Sequence, residues 1–409
     1  MSTVVIDVRA NHDTGVSRFG LGSLAAAAPL LTEAGFRITV VTQAHQMDRA
    51  RRAVHGCDAT VLCCPDEQTG FVRRSPWLRR LLSTTPVDLY YTSHYLLDRH
   101  CPVPYAFTIH DLTRIHFPEL SYTDTTFVKK FGRAELALIR DELTALTGSD
   151  GAAEQVFPRY FRAITRYLAA RAATVVTVSQ TVAEDIESVL DVDQGRVAVV
   201  PCLVDTAVFG PQPAQAVERV RRSLRLSGPY LLFVGLTHPN KRTGWLLRQL
   251  LAARHRFPAD ARLVAVGGHA ERTPEITSAV ADYDASDFVV YTGRVSDADL
   301  AALYSGASAL VTASISEGSN LPAQEAMACG CPVIATDIPT HRETLQGAAA
   351  LFPPHRGEAL AELAGRALRG QVPGNPRGYR ASRTDEVGAA LVDALYAARA
   401  SRMARSRSA

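Results

Sequence analysis

Short β-branched runs alternate with helical stretches along the whole chain, and few architectures accept that pattern. The runs fall at residues 3–8, 37–41, 59–63, 88–92, 106–109, 174–178 and 196–200, and again at 230–234, 262–266, 288–291, 309–312 and 333–336. Strands that alternate with helices predict parallel sheets covered by helices, an α/β fold. The rhythm breaks at residues 201–211, an irregular stretch bracketed by Pro201 and Pro211 that reads as an interdomain linker. A chain of 409 residues is long enough for two domains, each with its own core. The expected organisation is a first domain over 1–203, a second over 204–376, a C-terminal helix over 377–400 and a disordered basic tail over 401–409.

Composition narrows the function classes. Hydrophobic residues make up 47% and charged residues 21%, ordinary for a water-soluble globular chain. The formal charge is +3, but Arg399, Arg402, Arg405 and Arg407 crowd the C-terminus, which leaves the rest near −1. The body therefore offers nothing to a general polyanion, and no nucleic-acid partner is expected. The seven cysteines (Cys57, Cys63, Cys64, Cys101, Cys202, Cys329 and Cys331) have no framework spacing, which predicts reduced thiols and a cytoplasmic location. The pairs Cys63-Cys64 and Cys329-x-Cys331 lack further partners, so no metal site is expected. The N-terminus enters a strand with no signal-peptide pattern, and no apolar run approaches the ~20 residues of a membrane helix.

The chemistry concentrates in the run Ser316-Glu317-Gly318-Ser319-Asn320-Leu321-Pro322-Ala323-Gln324-Glu325. A strand precedes it and another follows it, so a polar, glycine-bearing loop opens a short helix here. Pro322 suits the first helical position, and Ser319 or Asn320 suits the cap. Free loop amides and the positive helix end then face one point, which favours an anion such as a diphosphate. Glu317 and Glu325 flank that point, and carboxylates accept hydrogen bonds from sugar hydroxyls. A phosphate cradle between two hydroxyl-reading carboxylates describes a nucleotide-sugar site.

The run resembles the Glu, seven residues, Glu signature of the family-4 glycosyltransferases, which are retaining enzymes. The resemblance takes in Tyr291-Thr292-Gly293-Arg294-Val295, Ser296 through Tyr304 and on to Glu343, and Phe233-Val234-Gly235 with Pro239-Asn240-Lys241. It implies two facing Rossmann-like domains of the GT-B type with a deep cleft between them. It also implies a nucleoside-diphosphate sugar as donor, UDP- or GDP-linked, and a small-molecule or glycan or lipid-linked acceptor. Departure and attack would take place on one face of the sugar, with no metal and no cofactor. Glu317 and the amides of Gly318, Ser319, Asn320 and Leu321 would hold the sugar, and Glu325 the ribose. Lys241 would put its charge on the departing diphosphate. The family often carries an Arg just after Gly235; Leu236 stands there, and Arg242 is a substitute. Gly267, Arg294 and Val295 would line the base and ribose, with Gly268 and His269 beside them. Arg294 reads equally as a surface charge.

In the first half, Gly15 lies in the first strand-to-helix loop and Ser17 can cap the helix that follows. The loop resembles the family's glycine-rich one but carries a single Gly; a plain tight turn is the alternative. His110 ends a strand and matches a family histidine that contacts the donor sugar, against the reading of a structural histidine. His94 and His116 read as structural or surface residues. The helical stretch 127–170 is an insertion that either packs on the sheet or forms an acceptor-binding lid. The basic amphipathic run 71–82, with Trp77, suits the sheet's cover better than a membrane surface. The same fold serves nucleotide-sugar epimerases and phosphorylases, and a catalytically silent partner is a further alternative. Base, sugar, acceptor and oligomeric state are not legible in the sequence.

Overall fold

The computed structural model describes residues 2–9, 15–65, 71, 75–95, 97–149, 155–235, 238–268 and 273–407, with backbone alone over 401–407. The chain divides into two compact units, Met1–Leu203 with Ser382–Ala409, and Val204–Ala381.

The first unit carries seven strands among the described residues: β1 (Ser2–Asp7), β2 (Phe36–Thr42), β3 (Ala59–Cys63), β4 (Leu89–Thr92), β5 (Tyr105–Thr108), β6 (Thr174–Thr177) and β7 (Val197–Val199). They form one parallel sheet in the order β3-β2-β1-β4-β5-β6-β7. Its helices are α1 (Gly15–Glu33), α2 (Met47–Ala53), α3 (Pro76–Thr84), α4 (Thr113–His116), α5 (Asp124–Phe131), α6 (Arg133–Thr147), α7 (Val156–Arg171) and α8 (Gln180–Leu190). The central strands are buried throughout, which is why they read as unbroken apolar runs.

The second unit carries β8 (Tyr230–Val234), β9 (Arg262–Val266), β10 (Val289–Gly293), β11 (Ala309–Thr312), β12 (Val333–Thr336) and β13 (Ala350–Phe352). The parallel order is β10-β9-β8-β11-β12-β13. Its helices are α9 (Ala214–Ser223), α10 (Thr243–Ala252), α11 (Pro274–Asp282), α12 (Asp297–Gly306), α13 (Leu321–Ala328), α14 (Pro339–Thr344) and α15 (Gly357–Leu368). This is the doubly wound Rossmann order, in which the direction of winding reverses between β8 and β11.

Three features differ from the sequence reading. The edge strand β13 has only three residues and an Ala-rich context, so it left no β-branched signal. Among its described residues the helical stretch 127–170 is three helices, broken first at Gly132, whose φ is 90°. The last helix, α16 (Thr384–Arg407), runs through 401–407, where a disordered tail was expected. Ala, Arg and Met favour helix strongly enough to outweigh the serines there. Within the first unit α16 lies on α1, with Val387, Leu391, Leu395 and Ala398 buried.

Candidate functional site

In open α/β sheets, ligands bind beyond the carboxyl ends of strands, where the winding reverses. In the second unit that point lies between β8 and β11. Lys241 follows β8 on the turn Pro239–Lys241, and Glu317 follows β11. The two meet there: Lys241 Nζ donates to Glu317 Oε1 in an ion pair that is 20% and 9% exposed at its two side chains. Removing a charged pair from water is costly unless its geometry is fixed, and neighbours fix it. Asn240 donates through Nδ2 to the Ser316 carbonyl at 2.8 Å, and its own carbonyl accepts from Ile315 N at 3.0 Å. Its Oδ1 lies 2.7 Å from His238 Nδ1. From the other side, Thr340 on α14 donates to the Glu317 carbonyl at 2.9 Å.

The loop then turns into α13. Asn320 holds the N-terminal position in the left-handed region, with φ 56° and ψ 59°, and its side chain does not cap the helix. It donates instead to His341 Nε2 at 2.8 Å. Ser319 is no cap either; Gln324 reaches back to it, donating to its carbonyl at 2.8 Å and its Oγ at 2.5 Å. The helix opens at Leu321, so Pro322 stands one place later than expected. The reason is the left-handed turn at Asn320, which commits that side chain to α14. Gly318, Ser319, Asn320 and Leu321 are all buried. Glu325, one turn into α13, is 3% exposed and accepts from Tyr304 Oη at 3.2 Å.

Three strand ends beside the reversal point all carry glycine. Gly235 after β8, Gly267 after β9 and Gly293 at the end of β10 have φ values of 141°, 144° and 64°. They form a ladder: Gly235 N donates to the Val266 carbonyl and Gly267 N to the Gly293 carbonyl, each at 3.0 Å. A Cβ on Gly267 would fall 2.2 Å from the Gly235 carbonyl oxygen. The result is a bare backbone ledge at the sheet's carboxyl edge. Arg294 is exposed just beyond it, and Val295 is half-buried.

Arg242, the candidate for a second cation, is engaged with its own unit. Its backbone is left-handed, its Nη1 donates to the Pro354 carbonyl at 2.7 Å, and its guanidinium stacks 4.2 Å from the Trp245 ring. Leu236 and His269 lie outside the described residues.

In the first unit, His110 stands at the end of β5 and is half-buried. Its Nε2–H donates to the Ser93 carbonyl at 2.8 Å, and the Phe19 ring packs edge-on at 5.0 Å. Burial lowers its pKa from the ordinary value of 6.5, so it is held neutral. Gly15 opens α1, and a Cβ there would meet nothing within 4 Å among the described residues. Ser17 lies inside the first turn of α1 rather than capping it, and its Oγ is buried with no partner among the described residues. The rest of that loop, residues 10–14, is outside the described residues. The run 71–82 is described except for 72–74. Ser75 caps α3, Leu78 and Leu82 are buried, and Arg79 pairs with Asp98. Leu78 and Leu82 belong to the hydrophobic core of the first unit, with Trp77 and Leu81 packed against it. His116 pairs with Asp185 at 2.7 Å, and His94 stacks on Tyr95.

Sequence reasoning missed the residues that hold the others in place. Asn240, Thr340 and His341 are among them, as is a buried network in the first unit. There Asp7 accepts from Arg9 Nε and Nη2 at 2.9 and 2.7 Å and from Tyr90 Oη at 2.6 Å. Burial opposes the Arg9 charge, but Asp7 outweighs it, and the guanidinium pKa is raised. No local spacing announces these contacts, because each joins separate elements or lies within a strand end.

Among the described residues no helix is long and apolar enough to cross a membrane, and no cluster of three or more His, Cys, Asp or Glu has metal-binding geometry.

Comparison with known proteins agrees with this arrangement. Residues 228–369 match the family described as glycosyl transferases group 1, and residues 23–208 match glycosyltransferase family 4. An O-antigen chain mannosyltransferase of Salmonella typhimurium is 31% identical over 195 residues, 48% of this chain and 51% of that one. A D-inositol 3-phosphate glycosyltransferase of Salinispora arenicola is 34% identical over 181 residues, 41% of this chain and 40% of that one. The chain thus spans about half or less of the length of these curated relatives. Among solved structures, Anabaena HepE in complex with UDP and glucose superposes with a TM-score of 0.62 at 14% identity, covering 100% of both chains. A glycosyltransferase from Rickettsia africae gives 0.59 at 17% identity over 97% of this chain and 93% of that one. Two Rossmann-like units, an ion-paired Lys241 and Glu317 at the reversal point and these matches to both halves place the chain in glycosyltransferase family 4, the glycosyl transferases group 1.

Proposed function

We propose that this chain is a retaining glycosyltransferase that takes a hexosyl group from a UDP- or GDP-linked sugar and sets it on a hydroxyl of a small-molecule or glycan or lipid-linked acceptor. The observation that carries the reading is the contact of Lys241 with Glu317 at the β8/β11 reversal point, directly before α13. One group is a cation for a leaving diphosphate; the other is an acceptor for sugar hydroxyls. The mannosyltransferase and inositol-phosphate glycosyltransferase among its relatives support sugar transfer.

In this reading the glycosidic bond breaks with its electron pair going to the diphosphate, the acceptor hydroxyl bonds through its oxygen to the same face of the sugar, and its proton passes to the departing diphosphate oxygen. The protein's part is electrostatic. The Lys241 ammonium and the N-terminal dipole of α13 stabilise the charge that develops on the leaving group. Glu317 and the loop amides orient the sugar, Glu325 takes the ribose hydroxyls, and the glycine ledge admits the nucleotide to the backbone. Protein dipoles take the place of a metal, and no cofactor is called for.

A thermal-shift panel of nucleotide sugars finds the donor, since a ligand at 100 times its dissociation constant adds about 2.7 kcal/mol of stability. With that donor, Glu317→Ala and Lys241→Ala are expected to lower kcat by about 10²–10³ while the protein still folds. Near-normal turnover in either variant removes the assignment. Consumption of the donor with no acceptor present identifies an epimerase instead.

A further inference from the structure

We infer that His341 is a positioning residue for the donor site: it holds Asn320 in its left-handed turn and thereby sets the loop that carries Glu317. The inference rests on the donor-site reading above.

His341 is 0% exposed. Its Nδ1 lies 2.7 Å from the Thr336 carbonyl, which can only accept, so the proton sits on Nδ1. A neutral ring then has a lone pair on Nε2, and Asn320 Nδ2 donates to it at 2.8 Å. Burial keeps the ring neutral. The imidazole therefore works as a one-way link, with a donor toward the end of β12 and an acceptor toward the start of α13. Asn320 is one of the few non-glycine residues with positive φ in the described chain. Asn tolerates that region better than most residues, yet it stays there only where its surroundings fix it. The adjacent Thr340 donates to the Glu317 carbonyl at 2.9 Å. Two consecutive residues of α14 thus grip the loop, one behind the carboxylate and one at the turn that opens α13. A buried imidazole with both nitrogens satisfied and one bond into the site loop is a scaffold for that loop's backbone.

A double-mutant cycle tests this with the full chain. Asn at position 341 can keep the donor to Thr336 but is too short to reach Asn320; Gln can present an acceptor to Asn320. His341→Asn is expected to lower kcat/KM about tenfold or more, because small displacements at a reacting site are expensive. His341→Gln is expected to restore most of that loss. Glycine adopts the left-handed turn with no support. In an Asn320→Gly background, His341→Asn should therefore change kcat/KM by less than about twofold. Equal losses for His341→Asn in both backgrounds, or parallel losses of kcat/KM and melting temperature in the Asn and Gln variants, overturn the role. Calorimetry of the wild-type protein with UDP and GDP separates the two readings. If it binds either, those losses count against His341 alone; if it binds neither, the donor site falls and this role with it.

Discussion

Gly267 stands where a side chain has no room. Its φ of 144° lies in a region that other residues rarely enter, and a Cβ would meet the Gly235 carbonyl oxygen. Gly267→Ala is expected to destabilise the protein by about 1–3 kcal/mol through backbone strain and to weaken UDP or GDP binding. Urea unfolding and calorimetry read the two effects, and unchanged values for both would falsify the ledge. At this scale the sequence showed the residues whose chemistry is rare. Glu317, Glu325 and Lys241 were legible because charged side chains at strand ends stand out, and because their motif is local. Asn240 and His341 were not, although the site depends on them. Asn240 meets Ser316 across 76 positions, and His341 meets Asn320 across 21. Such residues look like any polar residue until the chain closes on itself. For Arg242 the charge was visible, but not the left-handed turn or the contacts with Pro354 and Trp245.

Helices and strands were legible wherever their own residues decide them. Buried strands of four or more residues announced themselves, while β13 did not. Helix starts were less legible, since Ser17 and Asn320 both look like caps and neither acts as one. The C-terminal helix was visible as an element, but its bed was not. Gly388 of α16 lies against α1 so closely that a Cβ would fall 2.4 Å from the Ala26 carbonyl oxygen. Gly388→Val must push the two helices apart or distort one of them. The expected loss is about 1–3 kcal/mol from overpacking, seen as a lower thermal midpoint. A midpoint equal to wild type would show that α16 contributes little to the first unit.

Over the whole molecule, stability should fall on the acid side of neutrality. His110 in the first unit and His341 in the second both have pKa values lowered from 6.5 by burial. Below that ordinary value the unfolded chain takes up protons that these two sites refuse, so acid favours unfolding. Above it both forms are neutral and the contribution is constant. Each site can add a slope of up to about 1.4 kcal/mol per pH unit below 6.5. Thermal midpoints between pH 8 and pH 5.5 measure this, and His341→Gln should flatten the slope. A slope untouched by that substitution would mean His341 is not the refusing group. By itself the sequence determined what nearest neighbours decide: α/β class, two units, most strands, and the carboxylates and lysine that carry the proposed chemistry. Periodicity and side-chain type are properties of short windows, so they survive without the fold. Only the tertiary structure decided that β8 and β11 lie side by side, that Lys241 therefore meets Glu317, and that Asn240, Thr340 and His341 hold the loop around them. Strand order is set by packing between residues far apart in the chain, and no window of sequence contains it.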